Sequence, residues 1–253
     1  MTSNTLAASP YAAEVAPPRV RRTELEVLAA EIEGCRRCDR LVAWREQVAL
    51  ERRAAYREET YWGRPVAGFG DPAARVVVVG LAPAAHGANR TGRTFTGDRS
   101  GDVLFASLWR TGFADLPTST ARDDGQRLRD AWITMPVRCA PPANRPTPTE
   151  RDTCLPFLRR ELALLTEVRV VVALGAFGYA AVAGLAALGS PRPRFGHGLE
   201  VPGRLDGRPV SLLCSFHVSQ QNTFTGRLTP AMLDAVFGRA RELAGLDPSE
   251  RDA

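Results

Sequence analysis

The stretch GLAPAAHGANRTGRTFTGDRSG, Gly80 to Gly101, decides how the chain reads. It follows Arg75-Val-Val-Val-Val79 and gives way to an apolar helical pattern at Val103. A strand, a glycine-bearing loop and a helix start, in that order, form the context in which backbone approaches an anionic or planar ligand closely.

Working outward, four continuous apolar strands are expected, at Arg75–Val79, Ala131–Val137, Val168–Leu174 and Pro209–Phe216. Helical patterns separate them at Asp102–Thr111, Thr149–Leu165 and Ala176–Leu188, and a last helix is expected over Pro230–Leu243. Apolar strands alternating with helices predict an α/β fold, with a mostly parallel four-stranded sheet covered on both faces. Before the sheet, Thr23-x-x-Glu26 reads as a capping box opening a helix with Leu25, Leu28 and Ile32 on one face. Thr149-Glu-Arg-Asp152 reads as another helix start. Residues 1–20 read as a disordered tail and residues 21–253 as a single domain.

No run of 18 apolar residues exists, which excludes a membrane span. The first twenty residues lack the pattern of a secretory signal, so a cytoplasmic protein is expected. The net charge is +5 and all 33 cationic side chains are arginine, whose planar fork suits phosphates.

Five cysteines in such a chain argue for a metal site over a disulfide framework. Cys35-x2-Cys38 and Cys139-x14-Cys154 supply four thiolates, and spacing alone leaves zinc and a [4Fe–4S] cluster both open. Cys214, among apolar neighbours, reads as core. Gly87-x4-Gly92-Arg93-Thr94 comes close to a P-loop, but arginine stands where that motif needs lysine. In open parallel sheets ligands bind outside the carboxyl ends of the strands. That rule gathers the Gly80–Gly101 loop, the loop after Val137 and the polar segment His217–Arg227 around one mouth, with His217 just past a strand end.

Taken together, Tyr61-Trp-Gly-Arg-Pro, Gly80-Leu-Ala-Pro-Ala, Asn89-Arg-Thr-Gly-Arg-Thr-Phe-Thr-Gly-Asp98, Val137-Arg-Cys-Ala-Pro-Pro, His217-Val-Ser-Gln-Gln-Asn-Thr and the four cysteines resemble family 5, the type-b enzymes, of the uracil-DNA glycosylase superfamily. The resemblance runs from about Thr23 onward. It implies a three-layer α/β/α sandwich, with the N-terminal helical region contributing to a [4Fe–4S] site on Cys35, Cys38, Cys139 and Cys154. It also implies a DNA repair glycosylase that removes uracil, and in some members hypoxanthine or xanthine, from DNA; a monomer is expected.

By the same resemblance His217 meets the uracil O2, with Asn222 assisting, and Asn89 positions the attacking water. Phe95 stacks on the flipped base, and Gly80, Leu81, Ala82 and Ala84 line its pocket. Arg90 and Arg93 flank phosphates, while the Gln220–Arg227 loop, with Gln220, Gln221 and Arg227, enters the groove and fills the vacated stack. Two features depart from related enzymes. Gly80-Leu-Ala-Pro83 carries no side chain to orient water, and Met135 stands where many relatives place an asparagine that reads the base edge. The competing readings are a non-catalytic relative that binds damaged DNA and a P-loop nucleotide-binding enzyme.

Overall fold

The protein's structure, a computed structural model, describes residues 18–246. The expected tail falls, up to residue 17, outside the described residues. Two helices lead, α1 (Pro18–Glu33) and α2 (Asp39–Glu51), followed by β1 (Phe69–Gly70), β2 (Val76–Val79), the short α3 (Ala88–Thr91) and α4 (Arg99–Arg110). Then come β3 (Ala131–Thr134), α5 (Pro148–Leu164), β4 (Val170–Leu174), α6 (Gly175–Leu185), β5 (Glu200–Leu205), β6 (Arg208–Ser215), α7 (Gln220–Phe224) and α8 (Pro230–Ala244).

The four expected strands pair in parallel as β3-β2-β4-β6. The sheet nevertheless has six strands among the described residues, because β1 and β5 add antiparallel edges in the order β1-β3-β2-β4-β6-β5. Asp206 and Gly207 both take positive φ, 46° and 79°, between the paired Leu205 and Arg208. That is the two-residue turn whose twist matches a hairpin. Proline and glycine inside β5 make it a poor central strand and an acceptable edge.

Side-chain alternation along β2 divides the core into two. Val76 and Val78 face α4 and α8 through Leu104, Phe105, Leu108, Leu233 and Phe237. Val77 and Val79 face α1, α5 and α6 through Leu25, Leu158, Leu162 and Val182. All four valines are fully buried, each contributing about 1.5–3 kcal/mol by leaving water. The α/β/α layering is thus as expected.

Two helix starts differ from the sequence reading. Helix α1 begins at Pro18, so Thr23 sits inside it rather than capping it. The capping box of α5 is Thr147 with Glu150, and Pro148 fills the first turn, two residues earlier than expected.

Candidate active site

The loops leaving β2, β3 and β6 enclose a cleft of about 570 Å³ at the carboxyl edge of the sheet. The β2 loop contributes Leu81, Ala82, Pro83, Ala84, Ala88, Phe95 and Asp98, the β3 loop Met135, Asn144 and Arg145, and the β6 loop His217, Ser219, Gln220 and Gln221.

Phe95 forms one wall, held at a left-handed φ of 51°. A side chain at Gly80 would place its Cβ 2.7 Å from the Phe95 ring, so glycine there lets the ring lie against the end of β2. A non-glycine residue kept in this backbone region marks a place where surrounding structure overrides local preference. The His217 ring lies 6.2 Å from that of Phe95, centroid to centroid, at 37°. Desolvation pulls the His217 pKa down to about 4, so the imidazole is neutral near pH 7. Asn222 does not line the cleft; its Nδ2 donates to the His217 carbonyl at 2.8 Å and pins the β6 loop from behind.

Asp98 is the one carboxylate lining the cleft among the described residues, and the sequence reading passed over it. It caps α4, with Oδ1 accepting from the Gly101 N–H at 3.0 Å. Its other oxygen, Oδ2, occupies the space that a side chain at Gly87 would need. Burial raises its pKa, against the opposing pull of the Gly101 and Ser100 amides. The sequence signal was present as an N-cap aspartate before a helix. The sequence pattern puts the helix start at Asp102, three residues beyond the observed Arg99, so Asp98 reads as loop there.

Three expected site residues turn inward instead. Asn89 is fully buried, with Nδ2 donating to the carbonyls of Arg45 at 3.2 Å and Ala85 at 3.5 Å, and it does not line the cleft. Its amide therefore braces the loop against α2, with the buried Oδ1 left without a hydrogen-bond partner. Arg90 pairs with Glu59, donates to the Gly97 and His86 carbonyls and stacks on Tyr56. Arg93 donates to Asp124 at 2.6 Å and Ser119 at 2.7 Å beneath the loop. These guanidiniums are engaged in holding the loop's shape, and Arg93 in this setting removes the P-loop reading. The exposed arginines at the mouth are Arg99 and Arg145. Arg227 is exposed too, lying 4.5 Å over the Phe216 ring. Met135 lines the cleft although almost wholly buried, and offers it no hydrogen-bond donor.

Cys35, Cys38, Cys139 and Cys154 line a single small cavity of about 20 Å³ with Leu41, Val42, Val137 and Phe157. The structure thus brings together four cysteines separated by up to 119 positions in the chain. Among the described residues no three histidine, cysteine, aspartate or glutamate side chains are grouped as ligands of one metal ion. Ala82, on the cleft wall, packs against the Leu41–Val137–Cys139 cluster, so cleft and cysteine pocket back onto one another. Cys214 is fully buried within the core, as expected. Among the described residues no helix is long and apolar enough to cross a membrane.

The structure is a three-layer α/β/α sheet with a neutral histidine, an N-cap aspartate and an aromatic wall lining a cleft at its carboxyl edge. The family model for the "Uracil DNA glycosylase superfamily" matches residues 67–241, and the chain belongs to that superfamily. A type-5 uracil-DNA glycosylase of Mycobacterium tuberculosis is 54% identical over 222 residues, covering 87% of this chain and 82% of that protein. Type-5 uracil-DNA glycosylases of Thermus thermophilus and Pyrobaculum aerophilum are 49% and 48% identical. They cover 87% and 84% of this chain, and 99% and 90% of their own lengths.

Proposed function

We propose that the protein is a monofunctional DNA glycosylase that hydrolyses the N-glycosidic bond of uracil turned out of DNA and leaves an abasic site. The observation that carries this reading is that neutral His217 and the Asp98 carboxylate line one cleft walled by Phe95. A base inside a duplex has to leave the stack before its glycosidic bond can be reached. Phe95 then offers it a stacking face. As the N1–C1′ bond breaks, its electron pair passes to the base and the sugar takes on oxocarbenium character. A neutral imidazole N–H donates to the oxygen where negative charge collects. Asp98, lining the same cleft, stabilises the cationic sugar and orients the water that adds to C1′, the departing proton leaving to solvent.

Replacing Asp98 by asparagine is expected to lower single-turnover excision about 100-fold or more while DNA affinity holds. Gly87→Ala should reproduce much of that loss by displacing the same carboxylate. Normal turnover in Gly87→Ala would show that the position of Asp98 is immaterial.

Met135 supports a wider base range, because nothing at that position reads the uracil edge by hydrogen bonding; hypoxanthine and xanthine are the further substrates proposed. Arg99, Arg145 and Arg227 are proposed to hold phosphates, so binding weakens as salt rises. Phe224, 69% exposed on α7 beside Gln220 and Gln221, is proposed to enter the stack vacated by the flipped base. Phe224→Ala should slow excision from duplex by the equivalent of about 1–3 kcal/mol of stacking and spare single strands. Equal losses on both substrates would remove that role.

For the cysteine pocket we propose a [4Fe–4S] cluster held by Cys35, Cys38, Cys139 and Cys154. Its support is four thiols around one enclosed cavity, two of them, Cys139 and Cys154, pushed by burial to about 11 and 12 and so in need of a cationic partner to ionise. When bound, the cluster supplies covalent cross-links between the α1–α2 turn, the β3 loop and α5. We place the enzyme in the cytoplasm, acting as a monomer.

The deciding experiment uses duplexes carrying one G·U, A·U, hypoxanthine or xanthine, followed by alkaline cleavage at abasic sites. Cleaved product from the uracil substrates is expected. Intact strands throughout would overturn the enzymatic reading, and tight binding to the same duplexes would then identify a damage-binding protein.

A further inference from the structure

We propose that Arg45 is a positioning residue of the four-cysteine site. Its guanidinium holds the Cys139 sulfur and supplies the buried positive charge that lets the site retain its cluster. This rests on the [4Fe–4S] reading of the pocket. Arg45, on α2, is 2% exposed. Its Nη1 donates to Cys139 Sγ at 2.8 Å, and both Nη1 and Nη2 reach the Cys35 carbonyl at 3.3 Å. One guanidinium fork thus engages two of the four cysteine residues, one through sulfur and one through backbone.

The charge balance gives the arrangement its meaning. The carboxylate paired with Arg45 is Glu46, at 3.7 Å, and Glu46 is itself part-exposed and shared with Arg36. A buried guanidinium with so distant a counter-ion is costly by itself. Four thiolates on a [4Fe–4S] core leave net negative charge in a pocket walled by Leu41, Val42, Val137 and Phe157, which is costly in the same way. Each compensates the other. Hydrogen bonds and positive charge at cluster sulfurs also favour the more reduced, more negative state, so Arg45 should raise the cluster's potential.

Arg45 has a second contact that a side-chain substitution leaves alone, since its backbone carbonyl accepts from Asn89 Nδ2 at 3.2 Å. Arg45→Met therefore removes the charge and the donors while keeping the tie between α2 and the cleft loop. Arg45→Lys keeps the charge and loses the fork.

The test compares full-length wild-type, Arg45→Met and Arg45→Lys proteins, prepared without oxygen and assayed for iron and acid-labile sulfide. Bleaching of the cluster band near roughly 400 nm is then followed with an Fe(II) chelator present, alongside the midpoint potential. Arg45→Met is expected to lose iron about 10–100-fold faster and to show a more negative potential, with Arg45→Lys between. Unchanged retention and potential in Arg45→Met overturns the proposal. If Arg45→Met does not accumulate folded, Arg45→Lys matching the wild type in both measurements does so instead. Wild-type protein without iron and sulfide overturns the cluster reading beneath it, an outcome distinct from either.

Discussion

His217→Ala is expected to lower single-turnover uracil excision by about 100- to 1,000-fold, the size of effect that follows loss of one preorganised donor to a developing anion. Affinity for undamaged duplex should change little, because the imidazole sits inside the cleft and the exposed arginines lie at its mouth. Equal losses in turnover and in undamaged-DNA binding would remove its assigned role. The pH profile gives a second reading. With its pKa near 4, His217 is already neutral well below the ordinary histidine value of about 6.5. Lowering the pH from 8 to 5.5 therefore leaves its N–H in place and its charge unchanged, so the excision rate should show no inflection near pH 6.5. An inflection there that vanished in His217→Gln would mean that the cationic imidazole is the working form. Further down in pH, protonation of Asp98 begins earlier than for an ordinary aspartate because its pKa is raised, and Asp98→Asn should abolish that limb.

The parts of this arrangement that were legible in the sequence are those encoded locally. The valine run of β2 has no other good use than a strand buried on both faces, and it located the cleft loop at once. The cysteines were legible because their spacing and residue type carry the chemistry. The edge strands were not. Two residues of β1 hold no pattern, and β5 carries Pro202 and Gly203, although the Asp206-Gly207 turn beyond it was a usable hairpin signal. The inward setting of Arg90 and Arg93 is illegible for a different reason. Each finds its carboxylate 31 positions away, Glu59 for one and Asp124 for the other, and no local pattern distinguishes an arginine that meets such a partner from one that meets a phosphate. Asn89 turns inward likewise, since the carbonyl it reaches belongs to Arg45 on another helix. Residue type identified what could act, and tertiary contact decided which groups were free to do so.

Glu161 provides the largest expected effect on stability. It lies on α5, 2% exposed, against Arg138, 1% exposed, with Arg138 Nη2 donating to Oε2 at 2.6 Å and Nη1 to Oε1 at 3.3 Å. The Thr134 hydroxyl at the end of β3 also donates to it, and the Gly68 N–H reaches Oε1 at 3.2 Å. One carboxylate thus ties α5 to the end of β3, to Arg138 beyond it and to the backbone at Gly68. Glu161→Ala strands a buried guanidinium, which costs about 3–5 kcal/mol and, in a chain of this size, about 6–20 °C in Tm. The comparison that isolates the cause is the double variant Glu161→Leu, Arg138→Met. With both charges gone no buried ion is left unpaired, although the Thr134 hydroxyl and the Gly68 N–H lose their acceptor, and most of the lost stability should return. A single variant within about 1 °C of the wild type would show that the pair contributes nothing. A double variant as unstable as the single would move the cost from the stranded charge to the Thr134 and Gly68 bonds. Because Arg138 lies between Met135 in the cleft and Cys139 in the cysteine pocket, the single variant should weaken iron retention and excision together, whereas His217→Ala should leave iron untouched.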